Sequence, residues 1–200
     1  MSPTDSTKRD MIGSEGMVLL DMIRRLNRRS ASGHLLKLIQ KTHPADMAWV
    51  FRHLNEEERS NIFNIIAQTE VVGEFLSELD DAILVDLIQH LTPQYLASIL
   101  AGIPSDDAVD ILETIPDDLA AEISEHMAKE DREEVEGLLQ YHPETAGGLM
   151  SPDFMCLEED LTVGEAISII QQKSEEMEMV FYLYIKYGDG KLAGVISLRE

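Results

Sequence analysis

Apolar residues recur along the middle of the chain with a period that belongs to short helices laid down in series. Leu54, Ile66, Leu79, Leu91, Ile103, Ile115, Met127 and Leu139 close successive segments, at steps of 12 residues except for one step of 13 between Ile66 and Leu79. Four positions before each closing residue stand Val50, Ile62, Phe75, Leu87, Ile99, Ile111, Ile123 and Val135; three before stand Phe51, Phe63, Leu76, Ile88, Leu100 and Leu112. Spacing of i, i+1 and i+4 gathers these side chains on one helical stripe. Helix-start chemistry follows several closures: Asn55-Glu56, Asp80-Asp81, Thr92-Pro93, Pro104-Ser105-Asp106 and Pro116-Asp117-Asp118. Proline is tolerated in a first turn because the N–H it lacks has no intrahelical partner there, and Asp suits the positive end of the helix dipole. Each unit reads as one helix of about three turns. Helices that short are marginal alone, so the stripe must pack on its neighbours. The expected architecture is mostly α: an α-solenoid, a right- or left-handed superhelix of helices of about 12 residues each.

The pattern changes near residue 143. His142-Pro143 and Ala146-Gly147-Gly148-Leu149-Met150-Ser151-Pro152 read as a break, because proline restricts its predecessor and the glycine pair favours a turn. Beyond it the order is β-α-β-β. A short strand covers residues 154–157, and a helix opens at Thr162 with Glu165 three residues on as a capping box. Two further strands cover residues 180–186 and 192–198, joined by Tyr187-Gly188-Asp189-Gly190-Lys191, whose Asp-Gly signals a hairpin. The chain divides into an N-terminal arm or amphipathic helix (1–33), an acidic helical superhelix (34–142), a linker (143–152) and a partial α+β motif (153–200). Val18-Leu19-Leu20, Met22-Ile23 and Leu26, interleaved with Arg24, Arg25, Arg28 and Arg29, suggest one amphipathic helix in the arm. Capping the solenoid is its plainer role and attachment to a membrane surface the other.

Charge sharpens this picture. The chain carries 38 Asp and Glu against 16 Lys and Arg, a net charge of −22, which argues against nucleic acid as a partner. Residues 70–160 hold 24 of the acids and only two of the bases, Lys129 and Arg132, so the whole excess is regional. An apolar fraction of 44% is too high for a disordered acidic tail. A single cysteine, Cys156, excludes an intramolecular disulfide and a multi-thiolate metal site. Neither a secretory signal nor a run of 18 apolar residues occurs, so this stretch is expected to be soluble and cytoplasmic. No zinc-helix, phosphate-loop or nucleophile motif is recognisable, and no catalytic residue is assigned. His43 and His142 each precede a proline at a segment start, where a local turn role is the default.

The stretch Tyr141-His142-Pro143-Glu144-Thr145-Ala146-Gly147-Gly148-Leu149-Met150-Ser151-Pro152, then Asp160-Leu161-Thr162-Val163-Gly164-Glu165-Ala166, and later Val195-Ile196-Ser197-Leu198-Arg199, resembles the junction and first CBS motif of the MgtE magnesium transporter and channel family. The acidic helical repeat before it is similar to that family's cytosolic N domain. The resemblance implies a homodimer joined through CBS motifs, with a transmembrane pore domain that this chain does not contain, on the cytoplasmic side of the cell membrane. It also implies regulatory Mg²⁺. Matched onto the family pattern, Glu74, Asp106 and Asp110 fall at carboxylates that bind the regulatory ion, and Gly148 at a residue lending its carbonyl. The remaining ligands of the pattern lie in the second CBS motif and beyond. Tyr182 and Arg199 match positions near a cleft that holds adenine nucleotides in some CBS domains; packing within the sheet is the plainer expectation for Tyr182.

The repeat itself selects overlapping positions. The residue five before each closure points about 140° away from the core stripe, and Asp86, Asp110 and Glu134 occupy alternate units there, 24 residues apart. They are expected to form one outward acidic ridge. Asp106 precedes Asp110 by one turn, and two like charges at that spacing repel, which a bridging cation would relieve. Mg²⁺ takes oxygen ligands, keeps several waters and needs only one or two carboxylates. The plain alternatives are a first-turn dipole partner for Asp106, as for Asp80, Asp81, Asp117 and Asp118, and a solvated face for Glu74 and Asp110. The rival function is an α-solenoid interaction scaffold whose acidic ridge recognises a basic protein without sensing ions.

Overall fold

A computed structural model describes residues 4–152, 154–173 and 181–199. These form two compact units that divide between Tyr141 and His142.

The first unit is helical throughout: α1 (Thr4–Arg28), α2 (Ser32–Ile39), α3 (Pro44–His53), α4 (Glu56–Ile66), α5 (Val72–Ser77), α6 (Asp81–Ile88), α7 (Pro93–Leu100), α8 (Ser105–Thr114), α9 (Asp117–His126) and α10 (Lys129–Leu138). Alternate helices pack on one another, α2 on α4, α3 on α5, α7 on α9 and α8 on α10, while α5 also meets α8. The stripe read from the sequence is the core. All eight residues four before a closure are at most 6% exposed, and Phe51, Phe63, Leu76, Ile88, Leu100 and Leu112 are buried with them. Phe75 joins three units, its ring edge-on to Phe51 at a centroid distance of 4.7 Å and tilted on Phe63 at 6.4 Å. The closing residue of the last helix, Leu139, is 40% exposed, since α10 ends the series. Not every unit reaches three turns. The 13-residue step holds the loop 67–71, and α5 after it has only six residues.

Local chemistry sets the helix starts. Asn55 and Glu58 form a reciprocal capping box on α4. The Thr92 hydroxyl accepts from the Tyr95 N–H, and His43 Nδ1 accepts from the Ala45 N–H, so His43 is indeed a turn residue. Pro44 and Pro93 occupy the first helical turn, whereas Pro104 and Pro116 stand one position earlier, at the cap itself. Asp80 precedes α6 without capping it; both its oxygens accept from Arg52 at 2.8 Å, which ties α3 to the start of α6. The arm is helical and belongs to this unit: α1 lies on α2, α3 and α4, with Leu20 and Ile23 buried.

The second unit is a three-stranded sheet with one helix. β1 (Met155–Glu158) runs parallel to β2 (Tyr182–Lys186), which pairs antiparallel with β3 (Leu192–Ser197), and α11 (Val163–Lys173) connects β1 to β2. Val180, where the second strand was expected to start, lies outside the described residues. Met155, Leu157 and Leu183 form the small core with Ala166, Ile169 and Ile170 of α11. The Thr162 backbone N–H and hydroxyl donate to Glu165 at 2.8 and 2.6 Å, the capping box expected from the sequence, and these bonds lower the Glu165 pKa. The hairpin turns at Gly190, whose φ of 84° suits a residue without a side chain. Tyr182 does not pack in the sheet; it is 54% exposed, because the alternation that buries Leu183 turns Tyr182 to the opposite face.

Candidate metal-binding surface

The carboxylates of α8 have the most distinctive environment. Asp106 is the second residue of the helix, where the dipole favours an acid, and the cap position before the helix is held by Pro104, which makes no side-chain cap bond. Its Oδ1 is shielded from solvent and has no hydrogen-bond partner among the described residues. One turn later stands Asp110, whose pKa is raised by partial loss of hydration and then by the neighbouring Asp106 charge. An orphan carboxylate oxygen beside a second carboxylate that resists ionisation is a donor set suited to a hard cation.

Asp110 also lines a groove between α8 and the α5 and α6 region, of about 530 Å³, whose floor includes Leu76, Leu84 and Ile111 and whose acids are Asp81, Asp107, Asp110 and Glu113. The sequence reading missed Asp107 and Glu113. The signal was available, since residues 107, 110 and 113 follow the i, i+3 spacing that shares a helix face.

The expected ridge forms only in part. On α10 the Glu134 carboxylate accepts from the Ser105 hydroxyl at 2.9 Å, which sets it beside the start of α8. Asp86 is half-buried and accepts instead from its own helix's Gln89 at 3.1 Å, because a local amide three residues away competes with any outward partner. Glu74 is exposed on α5. Among the described residues no three His, Cys, Asp or Glu side chains converge as a metal cage, so Glu74 does not close a site with Asp106 and Asp110.

Gly148 belongs to the second unit and has a structural reason to be glycine. A Cβ there would stand 2.5 Å from the His142 carbonyl oxygen and 2.7 Å from Pro143 Cα. The turn around it is held by Thr145, whose N–H and hydroxyl donate to the His142 carbonyl at 2.9 and 2.7 Å, and by His142 Nδ1, which accepts from the Glu144 N–H.

The raised pKa of Asp110 has a definite sign. A carboxylate whose folded pKa exceeds its unfolded value stabilises the fold in acid, and that contribution is lost as pH rises through the folded pKa. At neutral pH the Asp106–Asp110 pair is therefore a cost of a few tenths of a kcal/mol. In Mg²⁺-free buffer at neutral pH, Asp110→Asn should raise the melting temperature by about 1 °C, and the gain should vanish as pH falls through the raised pKa of Asp110, above the usual aspartate range. Differential scanning calorimetry across pH checks both signs.

Comparison with known proteins gives this surface its context. The family model of the MgtE intracellular N domain matches residues 42–144, and that of the CBS domain residues 146–200. The magnesium transporter MgtE of Enterococcus faecalis is 30% identical over 165 residues, 82% of this chain and 36% of that protein. The Thermus thermophilus magnesium transporter MgtE is 28% identical over 169 residues, 83% of this chain and 37% of its own. The chain thus spans little more than a third of the curated relatives it matches. Among solved structures, the soluble part of a magnesium transporter superposes with a TM-score of 0.81 at 22% identity, covering 92% of this chain and 72% of that one. The cytosolic domain of the Mg²⁺ channel MgtE in complex with ATP gives 0.77 at 26%, covering 92% and 73%. Among the described residues no helix is long and apolar enough to cross a membrane. A helical repeat matched over its length, the junction after it and the β-α-β-β unit that follows agree on one assignment: the chain belongs to the MgtE family of magnesium transporters, of which it carries the intracellular N domain and CBS sequence.

Proposed function

We propose that this chain is a cytosolic Mg²⁺-sensing region of a magnesium transporter or channel, and that Mg²⁺ draws its acidic surfaces into a closed state. The observation that carries the reading is the α8 pair, in which Asp106 holds a shielded oxygen without a partner among the described residues and the pKa of Asp110 is raised. Asp106 and Asp110 would supply one or two oxygens and water the rest of the octahedron, which Mg²⁺ accepts readily. Glu74 and the Gly148 carbonyl are the further ligands proposed, recruited when the acidic surfaces come together. A backbone carbonyl such as that of Gly148 is neutral, so it adds an oxygen ligand without adding a charge.

In scarce Mg²⁺ the acids repel and the region opens; in plentiful Mg²⁺ the ions bridge them, and in the whole protein that state would hold a transmembrane pore shut. A ligand shifts such an equilibrium only by its differential affinity. Three ions each favouring the closed form about tenfold would bias it by about 4 kcal/mol, enough for a switch. The assembly proposed is a homodimer through the CBS motifs at the cytoplasmic face of the membrane.

Isothermal titration calorimetry of the 200-residue chain tests the reading. Weak Mg²⁺ binding that is lost in Asp110→Asn supports it. Heat unchanged by that substitution, or capture of a basic protein with no ion binding at all, would favour the interaction scaffold.

A further inference from the structure

The outer face of α1 is left over once the helix has capped the superhelix. Its inner face carries Leu20 and Ile23, buried, with Leu19 and Leu26 packed against the core. Arg24 faces the core side too, donating to Glu58 and to the His53 carbonyl. The capping role therefore uses one side of the helix only. On the other side Met17, Val18 and Met22 are 50%, 61% and 44% exposed. Arg25, Arg28 and Arg29 are exposed beside them. At about 100° per residue Val18, Met22 and Arg25 fall in one row, with Met17 and Arg28 along one margin, and Arg29 follows just past the end of the helix. Among the side chains described, the acids on this face are Glu15 near its start and Asp21 between Val18 and Met22, and the three arginines outnumber them. Beyond Asp21 no acid occurs until Asp46, in a chain whose net charge is −22.

We infer that this face docks on an anionic lipid bilayer, with Met17, Val18 and Met22 entering the headgroup boundary and the three arginines meeting lipid phosphates and carboxylates. Apolar side chains in line with arginines on a half-exposed helix match that surface in both polarity and sign. An acidic protein would answer the arginines but leaves the apolar row without a counterpart. The acidic residues 70–141 of this unit lie in α5 to α10 and the loops between them, and repulsion beyond about 10 Å from the lipid is screened at physiological ionic strength. Docking requires no ion at α8, so it stands or falls apart from Mg²⁺ sensing.

Co-sedimentation of the intact chain with vesicles decides it, in EDTA so that no divalent ion can bridge the acidic half to lipid. Phosphatidylcholine vesicles containing roughly 30% phosphatidylserine should bind the chain at least tenfold better than pure phosphatidylcholine, with release by added salt. Each arginine near such a surface is worth about fivefold in binding, so the triple variant Arg25→Glu, Arg28→Glu, Arg29→Glu should weaken it by about a hundredfold or more. Val18→Asp with Met22→Asp should also weaken it, and circular dichroism should show both variants folded, since every altered side chain is exposed. Equal partition between the two vesicle types, or binding indifferent to the triple variant, overturns the inference. So does a chain that ignores both vesicles yet binds polyglutamate through these arginines, which would identify an acidic protein as the occupant.

Discussion

Phe75→Ala should cost the helical unit about 3–5 kcal/mol, the usual price of removing a buried aromatic ring from a packed core. Phe75 is 1% exposed and contacts rings contributed by α3 and α4, so the void would open where three units meet rather than at a flexible end. Domains of this size have roughly 5–15 kcal/mol in total, and each kcal/mol moves the melting point by about 2–4 °C. A fall of about 10 °C or more in thermal unfolding followed by circular dichroism is expected. Because alternate helices depend on one another for burial, the loss should not stay local. The same truncation at Leu139, 40% exposed at the end of the series, should cost far less.

Gly148→Ala should loosen the junction by about 1–3 kcal/mol, because the new methyl would meet backbone rather than a side chain able to swing aside. The His142 carbonyl oxygen at 2.5 Å must retreat, and with it the Thr145 bonds that fold the turn. Hydrogen exchange should show protection lost at the Thr145 and Leu149 amides, both of which donate within this turn. Gly164→Ala is the internal control. A Cβ at Gly164, inside α11, meets nothing within 4 Å, so that change should be neutral or stabilising.

These two sites also show what was legible in the sequence. Phe75 could be placed in the core from spacing alone, because a stripe at i, i+1 and i+4 repeated every 12 residues has only one face to bury. Cap chemistry was equally readable at Asn55, Thr92 and Thr162, where side chain and amide lie within a turn of one another. What escaped depends on distant partners. Asp80 looked like a helix starter, but Arg52, 28 residues away, holds it instead. Asp86 looked like a ridge residue, but α6 turns it into a half-buried position with Gln89. The isolation of Asp106 Oδ1 follows from how α8 is seated among its neighbours, which no local pattern encodes. Gly148 read as a turn residue for its flexibility, whereas the structure needs it for a close backbone approach.

In the sequence, capping and membrane attachment compete for the same apolar residues of α1. The fold separates them by face: Leu20 and Ile23 cap, while Val18 and Met22 remain outside. Such a distinction needs the neighbouring helices, since an amphipathic stripe shows what can be buried and not what has been.

The central claim is that Mg²⁺ closes this region by bridging its acidic surfaces. Small-angle scattering of the 200-residue chain with and without millimolar Mg²⁺ tests it most directly. The account predicts a smaller radius of gyration with Mg²⁺ and no contraction when Asp106→Asn and Asp110→Asn are combined. A radius unchanged by Mg²⁺ in the unaltered protein would contradict it.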